Sequence, residues 1–118
     1  MPTRVKICGL KTADTVSAAL DAGADYLGFN FYPRSPRSLS PEDAGKLREA
    51  ARGRAIAVAL VVDASDEQLD EIAAAMAPDM VQLHGSETPV RARAIKSRLG
   101  VPVMKAIGVA TAADAMRA

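Results

Sequence analysis

At 118 residues, 49% hydrophobic and 25% charged, the chain is long enough to bury one core and lacks the composition of a disordered segment. Its formal net charge of +1, with both signs interspersed, excludes the electrostatic footprint of a nucleic-acid or membrane-surface binder and leaves a small anion as a ligand class. One cysteine excludes an internal disulfide, no run of Cys and His has zinc spacing, and no signal peptide precedes Lys6, so a cytoplasmic enzyme or binding domain is expected.

Arg4 to Leu10 reads as a short apolar strand that ends on the thiol of Cys8 and on Gly9. Thr12 is placed to cap a helix with Val16, Ala19 and Leu20 on its inward face, stopped by Gly23. Tyr26 to Phe31 follows as a strand apolar on both faces apart from Asn30, and it holds three of the four aromatic residues. Tyr32 to Ser40 carries two prolines and two arginines, a restrained loop longer than a connection requires. Ser40-Pro41-Glu42-Asp43 opens a second helix with Ala44, Leu47 and Ala51 inward and Gly53 at its end.

Arg54 to Val62 is an almost unbroken Ala/Ile/Val/Leu run, the pattern of a parallel strand covered on both faces. Ser65-Asp66-Glu67-Gln68 reads as a capping box for a helix with Leu69, Ile72, Ala73 and Met76 inward, ended before Pro78. Met80 to Gly85 is a fourth strand, and Thr88-Pro89 starts a fourth helix that runs to about Leu99 and closes at Gly100. Val101 to Val109 is a fifth strand, and Thr111 begins a fifth helix of barely two turns, which reads as a truncated element.

Five strand-helix units with short connections imply parallel strands and right-handed crossovers. Two architectures fit: a five-stranded doubly wound sheet of flavodoxin-like order, or the first part of an eight-stranded barrel, which needs about 250 residues and at least about 200. The abrupt fifth helix favours the barrel.

Both architectures place chemistry at the carboxyl ends of the strands, and several residues stand there. Lys6 and Cys8 share a strand face, so a cation lies near a thiol whose reactive form is the thiolate; the competing role of Cys8 is a small buried hydrophobe. Gly9 would let a ligand approach the backbone. Arg34 and Arg37 lie in the proline-bearing loop, where a guanidinium can grip a carboxylate with two parallel hydrogen bonds; Arg37, nearer the helix start, is the stronger candidate. Gln82 and His84 share a face of the fourth strand, with His84 at the rim as a binding residue or a hydrogen-bonded structural one. Asp63 suits a loop-starting role, and Lys105 is either an interior charge or an edge gatekeeper.

Lys6-Ile7-Cys8-Gly9-Leu10, Gly28 to Arg37, Ser40-Pro41-Glu42, Val81 to Gly85 and Lys105 to Val109 together strongly resemble the phosphoribosylanthranilate isomerases of tryptophan biosynthesis, along the whole chain. The resemblance implies a (βα)8 barrel of which residues 1–118 form a single incomplete domain with about the first five βα units. It implies an Amadori rearrangement of N-(5′-phosphoribosyl)anthranilate without metal or organic cofactor. By that resemblance Cys8 is the general base and Arg37 holds the anthranilate carboxylate; Gly9 and His84 are expected in the substrate site from their places at the strand ends. The family's general acid, an aspartate on the sixth strand, and the phosphate loops after strands seven and eight are absent from these 118 residues. The isolated chain is therefore expected to be nearly inactive and to self-associate through open sheet edges. A non-catalytic flavodoxin-like module and a half-barrel association partner are the alternatives.

Overall fold

The computed structural model describes residues 5–105. Strands and helices alternate as β1 (Lys6–Cys8), α1 (Ala13–Asp21), β2 (Tyr26–Asn30), α2 (Pro41–Ala51), β3 (Ile56–Val61), α3 (Asp66–Met76), β4 (Met80–Leu83), α4 (Pro89–Leu99) and β5 (Val103–Lys105). The expected helix from Thr111 and the continuation of strand five to Val109 lie outside the described residues. Each helix starts where a hydroxyl meets a free backbone N–H: Thr12, Ser40, Ser65 and Thr88 accept from Thr15, Asp43, Gln68 and Arg91 respectively.

All strands are parallel, in the order β1-β2-β3-β4-β5. A flavodoxin-like sheet reverses direction after its second strand, so this order removes that alternative. With right-handed crossovers throughout, every helix falls on one side of the sheet. One apolar cluster accordingly joins Val16 and Leu20 of α1, Ala44 of α2, Ile72 of α3 and Ile95 of α4 to Leu27, Phe29, Val61 and Leu83 of the sheet.

The strand register divides the sheet into two faces. Ile7, Leu27 and Ala57 lie side by side and face the helices, as do Phe29, Ala59 and Val81. On the opposite face stand Lys6 beside Tyr26, Cys8 beside Gly28, and Asn30 beside Leu60 and Gln82. This second face is concave: the Lys6 ammonium on β1 donates to Oε1 of Gln82 on β4. In a flat sheet three strand spacings alone would hold those residues about 14 Å apart, and the register, with Lys6 level with Ile56 and Gln82 level with Leu60, would part them further, beyond the joint reach of the two side chains.

Three local expectations change. The third strand starts at Ile56 rather than Arg54, because the amides of Arg54 and Ala55 still bond the carbonyl of Ala51 and close the turn after α2. Leu47 packs only partly against the core, while its neighbour Arg48 is buried, donating to the carbonyls of Met76 and Ala77 at 3.0 and 3.1 Å and pairing with Asp79 at 3.0 Å. The Ser65 half of the expected capping box forms, but the Gln68 side chain donates to the carbonyl of Phe31 at 3.1 Å instead of turning back to its own helix.

Candidate active site

At the carboxyl ends of the strands, the concave face opens into a cavity of about 490 Å³ lined by Lys6, Cys8, Gly9, Asn30, Tyr32, Ser35, Arg37, Leu60, Val62, Gln82 and His84. Cys8, Gly9, Arg37 and His84, which come from the ends of three strands, thus border one space. Arg34, Asp63 and Lys105 do not line it. A second hollow of about 560 Å³ at the amino ends is lined by Gly53, Arg54, Ala55, Ile56, Asp79, Met80 and Pro102. It is larger but brings together no thiol, imidazole or clustered cations, so chemistry selects the first.

Two glycines make the thiol and the guanidinium fit. A Cβ on Gly28, next to Cys8 in the sheet, would stand 2.5 Å from the Cys8 sulfur. Gly9 has φ +78, and a Cβ there would meet Cδ of Arg37 at 2.5 Å, so the bare backbone after β1 gives the Arg37 stem its path. Asn30, which looked out of place in an apolar strand, organises the loop that carries Arg37. Its Oδ1 accepts from the Tyr32 amide at 2.8 Å, its Nδ2 lies 3.4 Å from Ser35 Oγ, and that hydroxyl in turn accepts from the Arg37 amide at 3.1 Å. Lys11 adds a bond to the carbonyl of Pro36 at 3.0 Å.

The Lys6 ammonium is engaged by Gln82 rather than by the thiol, and the Gln82 amide nitrogen lies 2.9 Å from Nε2 of His84. The His84 imidazole is pushed below its usual range: partial desolvation disfavours its cation, and the ammonium groups of Lys6 and Lys105 add to that, while Glu87 opposes it. Glu87, which the sequence reading passed over, braces the rim. Its side chain is 2% exposed and accepts from the amides of Asp63 and Gly85, both at 2.8 Å, and from Lys105 at 2.9 Å. Burial resists ionisation of this carboxyl, yet Lys105 and the backbone donors prevail and lower its pKa. Lys105 also donates to the carbonyl of Gly85, which makes it a clip between β5 and the loop after β4. Asp63 completes the brace by accepting from the Ser86 amide at 2.8 Å. The one local signal for Glu87 was a carboxylate just ahead of a helix start, which reads as an ordinary dipole partner.

A thiol, a guanidinium and an imidazole around one cavity suit it to hold a carboxylate-bearing molecule and to move a proton on it. Among the described residues no group of three or more His, Cys, Asp or Glu side chains is placed to hold a metal ion, and no helix is long and apolar enough to cross a membrane.

Comparison with known proteins agrees with the geometry. The N-(5′-phosphoribosyl)anthranilate isomerase of Brucella canis is 56% identical over 114 residues, which cover 97% of this chain and 51% of that protein. The chain thus spans about half the length of the curated relatives it matches. The crystal structure of the Thermotoga maritima phosphoribosyl anthranilate isomerase superposes with a TM-score of 0.90 at 35% identity, covering 98% of this chain and 56% of that one. A phosphoribosyl anthranilate isomerase in complex with reduced 1-(o-carboxyphenylamino)-1-deoxyribulose 5-phosphate also gives 0.90 at 35% identity, covering 98% of this chain and 59% of that one. The family model for N-(5′-phosphoribosyl)anthranilate (PRA) isomerase matches residues 5–118. The chain belongs to the N-(5′-phosphoribosyl)anthranilate isomerase family.

Proposed function

We propose that residues 1–118 supply the first five βα units, within one domain, of an eight-stranded (βα)8 barrel. The completed barrel would convert N-(5′-phosphoribosyl)anthranilate to 1-(2-carboxyphenylamino)-1-deoxyribulose 5-phosphate in tryptophan biosynthesis, in the cytoplasm. The sequential strand order and the curl of the sheet support the barrel. The observation that carries the functional reading is the meeting of Cys8, Gly9, Arg37 and His84 around one cavity in a chain of this family.

In this reading Arg37 forks onto the anthranilate carboxylate and fixes the substrate against the end of β1. A general acid protonates the ribose ring oxygen and opens the ring to a Schiff base. The Cys8 thiolate then takes the C2′ proton, and the electron pair released forms the enamine that becomes the ketose. A thiolate suits this step because a thiol gives up its proton more readily than a hydroxyl, while the thiolate remains able to take a proton from carbon. Gly9 and His84 line the substrate side. The acid would come from an aspartate on a sixth strand, and the phosphate cradle from loops after strands seven and eight, so these 118 residues alone hold the base and the carboxylate clamp. They would turn substrate over barely above background. The β1 and β5 edges, which pair with no further described strand, would favour self-association.

Calorimetric titration of the chain with the reduced product analogue tests the clamp. Arg37→Ala is expected to weaken binding by about tenfold or more, the loss of a charge-assisted fork, whereas Cys8→Ser should change it little. Equal affinity for wild type and Arg37→Ala would overturn the clamp.

A further inference from the structure

We propose that Lys6, acting through Gln82, holds His84 as a neutral imidazole with its proton on Nδ1. A lysine ammonium has no acceptor, so the Gln82 atom that meets Lys6 must be the carbonyl oxygen, which fixes the orientation of the amide. The amide nitrogen then faces Nε2 of His84 at 2.9 Å. An amide NH₂ only donates, so Nε2 must accept and carries no proton. The remaining proton of the neutral ring sits on Nδ1.

The other charged groups around His84 do not reverse this. Glu87, the one carboxylate acting on the ring, is committed to the amides of Asp63 and Gly85 and to Lys105. Lys6 and Lys105 both oppose an imidazolium, as does the partial desolvation of the ring. Arg37 and Cys8 border the same cavity and supply no acceptor to the ring in this structure. Lys6 and Gln82 are thus positioning residues, and His84, which lines the cavity, keeps a single neutral donor, Nδ1–H, which bonds none of the described residues. Such a donor fits an acceptor oxygen of a sugar or carboxylate. That use rests on the proposed isomerase reading; the tautomer does not.

His84 is the one histidine of the 118 residues, so nitrogen-15 NMR of the labelled chain reads its two ring nitrogens without ambiguity. At pH 7.5 the expected spectrum has a protonated Nδ1 and a bare Nε2, and a proton on Nε2 would overturn the proposal. Gln82→Glu replaces the donor by a carboxylate that accepts from both neighbours, so the proton should move to Nε2 and the His84 pKa rise by about one unit or more. Lys6→Met frees the amide to rotate, and both tautomers should appear. A spectrum identical to wild type in both variants would refute the relay. Titration with the reduced analogue separates the two levels: binding that leaves the Nδ1 signal unmoved removes the donor role while the isomerase reading stands.

Discussion

Because a Cβ on Gly28 would stand 2.5 Å from the Cys8 sulfur, Gly28→Ala must displace the thiol or part the two strands. A loss of about 1–3 kcal/mol is expected from such overpacking, read as a fall in the thermal midpoint; an unchanged midpoint would mean that the sulfur has room. Two titrations act at the same scale. Both His84 and Glu87 have folded-state pKa values below their ordinary 6.5 and 4.5. In each case the unfolded chain takes up its proton first as the pH falls, so stability is fully present above the ordinary value and declines below it until the folded form also protonates. Stability is therefore expected to decline first below about pH 6.5 and again below about pH 4.5. The difference between wild type and Glu87→Gln, followed by thermal unfolding from pH 7.5 to 3.5, isolates the second step, and parallel curves would contradict it. That Cys8, Gly9, Arg37 and His84 stand at one rim was legible in the sequence, because strand ends are marked locally by glycines and by the loop prolines. The roles of Asn30 and Gln82 were not, since one depends on a loop folding back and the other on a contact across three strands.

The helices were the most legible elements, because hydroxyl caps and glycine stops act within a few residues. The fourth helix runs from Pro89 to Leu99 between Thr88 and Gly100, as the sequence indicates. What the pattern does not carry is the joint between α2 and α3. Arg48 lies beside the expected inward Leu47, and its partners are the last carbonyls of α3 and the Asp79 carboxylate, about 30 residues on. Asp79 also accepts from the Ala57 amide at 2.9 Å, so the arginine ties both helices to β3. Arg48→Ala leaves buried carbonyls without donors and should cost about 3 kcal/mol, visible as a lower urea midpoint. Arg48→Lys should recover only part, since an ammonium does not reproduce the planar fork. A loss below about 0.5 kcal/mol would show that water replaces the guanidinium.

On the scale of the molecule, the curl of the sheet brings Lys6 of β1 and Gln82 of β4 together on one face. Its concave face leaves a hollow of about 360 Å³ lined by Lys6, Tyr26, Val58, Met80 and Met104, and Met104 is 43% exposed. Apolar surface between edges that pair with no other described strand favours pairing with another copy, so sedimentation velocity of the 118-residue chain should show a species larger than a monomer that grows with concentration. A monomer at all concentrations would remove the self-association reading. The central claim is that Cys8 is the base of an isomerase site whose acid lies beyond β5. Its most direct test is turnover of N-(5′-phosphoribosyl)anthranilate by three proteins: the 118-residue chain, the chain joined to the remaining half of the Brucella canis relative, and that chimera with Cys8→Ser. Background turnover is expected for the first, clear activity for the second and a fall of at least about 100-fold for the third. Full activity of the 118-residue chain alone, or a chimera indifferent to Cys8→Ser, would contradict it.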